Sequence, residues 1–342
     1  MEQCLYKMDR KHKILELYSG IGGMHCAFKE SCIPGEVVLA ADVNLVANEV
    51  YSFNFPNTNI SNRNIQSLKS EEIKKLGVNT ILMSPPCQPF TRNGKFLDEN
   101  DPRTCSFLHI ISILNELDNI EYILMENVKG FEMSTVRDKF VEKLQECNFI
   151  YQEFLLCPTS VGVPNSRLRY YCLARRTKHN WKFERKDGIV NSLTTKFATP
   201  FPLKEIIQQN IDSDQYLVPE KLLKWAKVFD ICYVNSTRSC CFTKSYTHYV
   251  DGTGSVFSCK DQSTVESILE DANEHPLGSE EYIKIVKQLK FRYFTPKEVS
   301  LLMSFPKNYE FPESMTRKQC YRLLGNSVNV KVISELIKLL FS

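Results

Sequence analysis

Although the chain is rich in cysteine, it lacks the spacings that tie cysteines to a metal or to one another. Thirteen cysteines occur among 342 residues, an odd number, and no two of them form a Cys-x-x-Cys pair. Zinc sites commonly use such pairs, and small secreted domains depend on a framework of paired cysteines. The pattern speaks against both classes, so we expect reduced thiols in the cytosol or nucleus and no metal.

Long apolar runs are also missing. No stretch approaches the roughly 20 apolar residues that a membrane-spanning helix requires, and Met1 to Lys13 is too polar for a signal peptide. We therefore expect a soluble monomer of the cytoplasm and nucleus with no membrane partner. The net charge of +3 and the pI of about 8.1 permit a polyanionic partner without requiring one.

The first half of the chain alternates short apolar runs with amphipathic stretches. The apolar runs predict strands, and the amphipathic stretches between them predict helices. Strands that alternate with helices of this length predict an α/β fold with a doubly wound, mostly parallel, Rossmann-like sheet. The strands are expected at 14–18, 36–41, 80–83 and 122–125, and the helices at 44–53, 106–117 and 135–147.

This alternation stops near Arg175. The following residues, up to about Lys290, are polar and irregular, with helices expected at 219–229 and 279–289. From Phe291 the chain is apolar again and ends in an amphipathic helix. The sequence thus predicts one large domain, with a smaller domain inserted into it. The large domain comprises residues 1–180 and 291–342, and the insertion comprises 181–290.

A cysteine on a proline-stiffened loop is the first candidate for chemistry. Ser84-Pro85-Pro86-Cys87-Gln88-Pro89 follows the strand expected at 80–83. Proline fixes its own φ and restricts the residue before it, so the loop has few conformations. A thiol held in this way suits a nucleophile that must meet one substrate atom, although most cysteines have no chemical role.

The turn between the first strand and the first helix is the second candidate. Its sequence is Tyr18-Ser19-Gly20-Ile21-Gly22-Gly23, and Asp42 ends the next strand. Glycines let a ligand approach the backbone, and an acidic residue at that strand end is placed to accept ribose hydroxyls. The spacing is not the dinucleotide pattern Gly-x-Gly-x-x-Gly. A nucleoside-containing cofactor other than NAD is favoured, with a plain tight turn as the alternative.

Further polar groups follow at later strands. Glu126 ends the strand at 122–125, and the carboxyl ends of parallel strands line one crevice, so Glu126 and Cys87 are expected to face each other. Arg167 and Arg169 lie two residues apart and would share a face if the segment is extended. Two guanidinium groups suit a phosphate or a polarised carbonyl. The alternatives are a helix cap for Glu126 and a solvated strand edge for the arginines.

In this order, the motifs resemble those of the cytosine carbon-5 methyltransferases. The glycine turn, Pro85-Pro86-Cys87-Gln88, Glu126-Asn127-Val128 and Arg167-x-Arg169 are joined by Gly325-Asn326-Ser327-Val328. The resemblance covers residues 12–175 and 291–342. Within the family the chain is most similar to the DNA-methyltransferase-like enzymes that modify cytosine 38 of tRNA-Asp. That similarity extends to Cys241-Phe242-Thr243. Asn165 departs from the wider family, which has glutamine there.

The resemblance implies roles for these residues. Cys87 would attack carbon 6 of cytosine, Glu126 would bind and protonate ring nitrogen 3, and Arg167 and Arg169 would complete the catalytic set. S-adenosylmethionine would be the cofactor, leaving as S-adenosylhomocysteine, and the inserted domain would recognise the target. The residues expected around the cofactor are Tyr18, Gly20, Ile21, Gly22, Gly23, Asp42, Val43, Asn64, Ile65, Gln66, Ser84, Pro85, Asn326, Ser327 and Val328.

The nucleic-acid partner is the less specific part of the sequence interpretation. A basic, aromatic segment at 175–186 and a second patch at 287–292 are candidates for contact with a phosphate backbone. The partner favoured is tRNA, with weak DNA binding expected beside it. A DNA methyltransferase and a non-catalytic nucleic-acid binding protein are the alternative functions. The expected substrate contacts are Cys241, Thr243, Tyr246, Lys178, Lys290 and Arg292.

Overall fold

The computed structural model describes residues 11–86, 104–179, 181–249 and 251–342, and its largest element is an eight-stranded sheet. Hydrogen bonds join the strands in the order β3-β2-β1-β4-β5-β7-β6-β8, with β1 to β5 parallel and β7 antiparallel to both its neighbours. The strands are β1 (His12–Leu17), β2 (Gly35–Ala41), β3 (Asn59–Ser61), β4 (Thr80–Met83), β5 (Tyr122–Val128), β6 (Phe149–Leu156), β7 (Arg169–Arg176) and β8 (Ile189–Val190).

Helices connect these strands, and several begin at a polar residue that accepts a backbone N–H. Asn44 caps α2 and Ser134 caps α5, each through its side-chain oxygen. The helices of this part are α1 (Gly23–Ser31), α2 (Leu45–Asn54), α3 (Ser70–Lys75), α4 (Cys105–Ile113), α5 (Thr135–Glu146) and the last helix, α10 (Val330–Phe341). Short 3₁₀ segments lie at Ile65–Ser67, Leu114–Glu116 and Phe131–Met133.

The order of the strands reverses between β1 and β4, which is the topological switch point of the sheet. β1 pairs with β2 on one side and with β4 on the other, all parallel, so the connections leave β1 in opposite directions. Ligands of open α/β sheets bind beside such a point, at the carboxyl ends of the strands. The central strands β4 and β5 are mostly apolar and buried, although β5 also carries Glu126 and Asn127. This pattern is typical of a parallel sheet covered on two faces. The predicted doubly wound, Rossmann-like sheet is confirmed.

The described chain forms two compact units. The first consists of the residues up to Cys157 together with Leu168–Thr195 and Val328–Ser342, and it contains the whole eight-stranded sheet. The second consists of Pro158–Arg167 and Lys196–Ser327. No helix in the described ranges is long and apolar enough to cross a membrane.

The second unit has its own small sheet and core. Three short strands, β9 (Ile231–Cys232), β10 (Val256–Phe257) and β11 (Arg292–Tyr293), form the sheet. Val218, Leu223, Val265, Tyr282 and Val286 are among its buried residues. The helices are α6 (Gln262–Asn273), α7 (Glu280–Lys287), α8 (Pro296–Leu302) and α9 (Arg317–Gly325), with 3₁₀ segments at Pro158–Val161, Leu203–Glu205, Ser213–Tyr216 and Glu220–Val228.

The bounds of the two units and the type of one helix differ from the sequence expectation: residues 158–167 and 291–327 belong to the second unit, and residues 181–195 belong to the first. Residues 291–327 pack with the second unit because β11 pairs with β10 and the Tyr321 hydroxyl donates to the carbonyl of Phe294. The helix expected at 219–229 is a 3₁₀ segment, Glu220–Val228, whose buried residues recur every third position. The functional names given to the two predicted domains stay predictions.

Candidate active site

The turn after β1 is held in an unusual backbone conformation. Tyr18 has a φ of 56°, Gly20 of 51° and Gly22 of 80°, all in the left-handed region. A Cβ on Gly22 would lie 2.5 Å from the Phe55 ring and 3.1 Å from that of Tyr51, so only glycine fits at this point. The backbone of the turn therefore packs directly on α2, and its opposite side stays open: a Cβ on Gly20 would meet nothing within 4 Å.

Asp42 ties this turn to the end of β2. One carboxylate oxygen accepts the N–H of Gly20 and the other accepts the N–H of Asn44, each at 2.8 Å. Burial raises the pKa of Asp42 above its ordinary value, and the backbone donors oppose that shift. Each carboxylate oxygen has two lone pairs, so this carboxylate can still accept hydroxyl donors on its open side.

The other expected cofactor residues of the first unit lie at the same edge of the sheet. The Ser84 hydroxyl donates to the carbonyl of Tyr18 at 3.2 Å, which joins the end of β4 to the turn after β1. The Asn64 side chain accepts the N–H of Gln66, and Val43 is 61% exposed. Ile65 and Pro85 are buried, and Val328 belongs to this unit.

Glu126 and Arg169 form the acid–base pair of this edge. In the β5–β7 register Glu126 stands opposite Tyr171 and Val128 opposite Arg169, and the Glu126 Oε1 atom lies 3.6 Å from Arg169 Nε. Both side chains are mostly buried, with 10% of Glu126 and 16% of Arg169 exposed. Arg169 also donates to the carbonyl of Leu168 at 2.8 Å, which fixes the orientation of the guanidinium.

Cys87 follows Pro86 and lies outside the described residues, so its predicted encounter with Glu126 stays a prediction. Pro86, which follows Pro85 after the end of β4, is the last residue described before Cys87. The carboxyl ends of β1, β2, β4 and β5 are adjacent in the sheet. The structure therefore brings together the glycine turn, Asp42, Ser84 and Glu126. No group of residues that could hold a metal ion occurs in the described part of the chain.

Arg167 does not share a strand face with Arg169 as the sequence suggested. β7 begins at Arg169, and Arg167 belongs to the second unit, where it is 4% exposed. Its guanidinium donates to the carbonyls of Phe242 and Gly325, both at 3.1 Å, and to that of Ser327. We therefore correct its predicted role from catalysis to positioning.

Arg167 and Gly325 together fasten two segments of the second unit. A Cβ on Gly325 would lie 2.1 Å from the backbone nitrogen of Lys244, so the chain at 243–244 runs directly against this glycine. Arg167 joins the carbonyl of Phe242 to those of the 325–327 turn, and it also donates to Cys241 Sγ at 3.5 Å. The predicted cofactor residues Asn326 and Ser327 lie on this turn.

Replacing Arg167 by lysine should therefore lower the free energy of unfolding by about 2–4 kcal/mol, because lysine lacks the planar fork and leaves buried carbonyls without a donor. Urea denaturation measures the change. Arg238→Lys is the matched control in the same unit: Arg238 is 58% exposed and pairs with Asp230, so its loss should cost under about 1 kcal/mol. Unchanged stability with lost turnover would instead restore the catalytic role of Arg167.

Two of the predicted substrate contacts, Tyr246 and Arg292, have buried side chains. Tyr246 is buried, and its hydroxyl donates to the carbonyl of Ser255 and accepts the N–H of Phe294. Arg292 is buried in a two-fold hydrogen bond with Glu298. These residues are corrected to structural roles, because neither side chain has surface to offer a substrate.

Two arginines at the start of the basic segment 175–186 are internal, whereas Lys178, Lys182 and Lys186 are exposed. Arg175 donates to the carbonyl of Ser342, and Arg176 donates to the carbonyls of Leu117, Ile120 and Cys147. These two arginines hold backbone carbonyls and do not form the phosphate-binding patch expected of them. The prediction that Arg175 and Arg176 contact a phosphate backbone was wrong, because the local sequence does not show which distant carbonyls the fold brings to them.

The remaining predicted contacts stay open to a substrate to different degrees. Lys178 is 60% exposed, but its ammonium pairs with Glu121. Lys290 is exposed. Cys241 is half-buried, and Thr243 accepts the N–H of Ser245 through its hydroxyl.

A buried network beneath the glycine turn escaped the sequence analysis. The Tyr51 hydroxyl donates to Glu16 Oε2 at 2.7 Å and lies 2.9 Å from His25 Nδ1. Burial raises the pKa of Glu16 to about 8 and lowers that of His25 to about 3. The signal that could have shown it is Glu16 itself, an acidic residue inside the apolar strand β1.

Glu16 should make the protein less stable as the pH rises. Its pKa is about 8 when folded and ordinarily 4.5. Between these values only the unfolded chain ionises, so the free energy of unfolding falls by about 1.4 kcal/mol per pH unit from this group. Urea denaturation at pH 5 and pH 7.5 gives the free energy of unfolding of the wild type and of Glu16→Gln. The wild-type value minus the variant value should be lower at pH 7.5 than at pH 5 by up to about 3 kcal/mol. Parallel stability curves would contradict the assignment.

Comparison with known proteins gives a consistent result. The family model described as C-5 cytosine-specific DNA methylase matches residues 12–342. A tRNA (cytosine(38)-C(5))-methyltransferase from Spodoptera frugiperda is 65% identical over 96% of this chain and 99% of its own length. A human protein of the same name is 42% identical over 96% and 99% of the two chains. The crystal structure of a Spodoptera frugiperda DNMT2 variant superposes with a TM-score of 0.92 at 64% identity, covering 97% of this chain and all of that one.

Proposed function

The chain belongs to the C-5 cytosine-specific DNA methylase family, and from that membership we propose that it methylates carbon 5 of a cytosine in tRNA. The relative that is 65% identical along almost the whole chain and is named for cytosine 38 of tRNA carries this proposal. Cytosine 38 of tRNA-Asp, in the anticodon loop, is the proposed target. A base in an unpaired loop leaves its stack at little cost, which favours such a substrate.

The proposed chemistry begins at the cysteine. Carbon 5 of cytosine is a poor nucleophile, and attack of the Cys87 thiolate on carbon 6 turns it into a reactive enamine carbon. Glu126 holds ring nitrogen 3 and the exocyclic amine, and it protonates that nitrogen as the thiolate adds. Arg169, oriented by its contact with Glu126, binds the base carbonyl and favours the thiolate. Once carbon 5 has taken the methyl group, loss of its proton expels the Cys87 thiolate and restores the aromatic ring.

The proposed cofactor is S-adenosylmethionine, which supplies an electrophilic methyl group. The residues at the sheet edge fit it: the turn is open at Gly20, and the backbone-anchored Asp42 can accept the ribose hydroxyls. The exposed side chain of Val43 gives the adenine an apolar contact. The second unit is proposed to recognise the target RNA.

Methyl transfer from labelled S-adenosylmethionine tests the proposal. Equal amounts of a tRNA-Asp transcript, a second tRNA without the target loop and duplex DNA should be offered to the wild-type protein. Label is expected in tRNA-Asp and at background level in the other two. Transfer to DNA at a rate equal to that for tRNA-Asp would refute the proposed substrate.

The second candidate function is DNA methylation. It is favoured by the description of the matching family, which names DNA, and it uses the same catalytic residues. The same assay decides between the two, because the chemistry is shared and only the labelled polymer differs.

A further inference from the structure

A basic surface without ion-pair partners among the described residues lies on a short segment of the second unit. The 3₁₀ segment Glu220–Val228 carries Lys221, Lys224 and Lys227, all three of them exposed. Within the described chain none of these ammonium groups forms an ion pair. The cations of the patches expected from the sequence differ in this respect: Lys287 pairs with Glu220, and Arg292 pairs with Glu298. Lys182, Lys186 and Lys290 of those patches are exposed as well, so the lysines of Glu220–Val228 add to the positive charge that is available to a partner, on a segment that the sequence did not indicate.

The spacing of the three lysines places them in a row. A 3₁₀ helix has three residues per turn, so positions three apart are eclipsed and about 6 Å from one another. The burial pattern follows this period, since Leu223, Ala226 and Phe229 are buried. Trp225 has non-helical backbone angles, so the segment consists of two 3₁₀ pieces that meet at a kink there, with Lys221 and Lys224 before the kink and Lys227 after it. The lysine row spans about 12 Å, the axial rise of about three or four phosphates in a stacked strand.

An aromatic side chain lies beside the row. Trp225 is 47% exposed, and the ammonium of Lys224 lies 5.4 Å from the centre of one of its rings. Val228, three residues further on, is 51% exposed. Proteins that bind single-stranded nucleic acids use an exposed aromatic ring next to cations, because bases stack on the ring and phosphates contact the lysines.

We propose that Lys221, Lys224 and Lys227 bind consecutive phosphates of the substrate RNA and that Trp225 stacks on an unpaired base of the same strand. The proposal rests on tRNA as the proposed substrate. It assigns to the second unit a backbone-tracking surface, which positions the RNA without reading its sequence. The row therefore contributes affinity, and its contribution depends on salt.

The test is the binding of an unmodified tRNA-Asp transcript, followed by fluorescence anisotropy between 50 and about 300 mM salt. The variant carries Lys221→Gln, Lys224→Gln and Lys227→Gln. We expect at least about tenfold weaker binding near 100 mM salt and a slope of log K against log salt that is shallower by about 2. Lys224→Gln alone should produce about a third of the decrease in slope that the triple variant shows.

A charge-matched control separates the row from net charge. Lys284, Lys307 and Lys318 are exposed lysines of the same unit, and their triple glutamine variant removes the same charge. It should keep the wild-type slope. An equal loss in both triple variants, or an unchanged slope in the row variant, would overturn the proposal.

Trp225→Ala distinguishes stacking from charge. It should weaken tRNA binding about tenfold without changing the salt slope. A row variant that loses affinity for duplex DNA but not for tRNA would also overturn the proposal. Failure of the proposed function is a separate result: it would appear as methyl transfer to DNA by the wild-type protein, whatever these binding curves show.

Discussion

Methyl transfer by the Cys87→Ala variant should be at least about 10⁴-fold slower than by the wild type, because the variant lacks the thiolate that is proposed to add to carbon 6 and activate carbon 5. The same variant should form no covalent complex with RNA whose target cytosine carries fluorine at carbon 5. Fluorine cannot leave as a proton, so in the wild type the Cys87–carbon 6 bond should persist. A denaturing gel with labelled RNA detects that complex.

The matched control is another accessible thiol. Cys259 is exposed, and Cys259→Ala should keep both the rate and the covalent complex. If Cys87→Ala kept the wild-type rate, the covalent mechanism would be wrong, even though the family of the chain would stand.

Glu126→Ala should lower kcat by about 10²–10⁴-fold, since it removes the group proposed to protonate ring nitrogen 3 as the thiolate adds. Glu126→Gln keeps the size of the side chain but cannot deliver the proton. It should therefore lose kcat while KM for tRNA changes little. Steady-state kinetics with labelled cofactor gives both constants.

Glu121→Ala is the control for Glu126→Ala, because it also removes a buried carboxylate next to or within β5. Glu121 precedes β5, and its side chain is 6% exposed, close to the 10% of Glu126, but it pairs with Lys178 at the opposite end of the strand. Glu121→Ala should reduce stability and leave kcat near the wild-type value. Equal losses of kcat in the two alanine variants would show that Glu126 acts only through the fold.

The sequence was sufficient for those parts of the site that depend on strand ends. The apolar runs at β1, β2, β4 and β5 defined the strands, and the polar residue following each run was expected at one edge. The structure places Tyr18, Asp42, Ser84 and Glu126 there. A parallel sheet requires this arrangement, because its carboxyl ends lie side by side.

The arginines were misjudged because their partners are remote. Arg167 binds the carbonyls of Phe242 and Ser327, which are 75 and 160 positions away. Arg176 binds the carbonyl of Leu117, 59 positions away. Local sequence shows a charge, but it does not show which backbone carbonyls the fold will bring to that charge.

The lysine row was missed for a different reason. The segment at 219–229 was interpreted as a helix without regard to its period, and an α-helical period of 3.6 turns each of the positions 221, 224 and 227 by about 60° from the one before. A period of three aligns them. The spacing Lys-x-x-Lys-x-x-Lys, with apolar residues also three apart at 223, 226 and 229, was the available signal.

Mapping the methyl group on tRNA-Asp tests the central claim most directly. The wild-type protein should convert a single cytosine of the transcript, position 38, to 5-methylcytosine, which bisulfite sequencing detects as one protected base. The Cys87→Ala variant should leave that cytosine unprotected. Protection at other cytosines with none at 38, or 5-methylcytosine found in duplex DNA and absent from the tRNA, would contradict the proposed function.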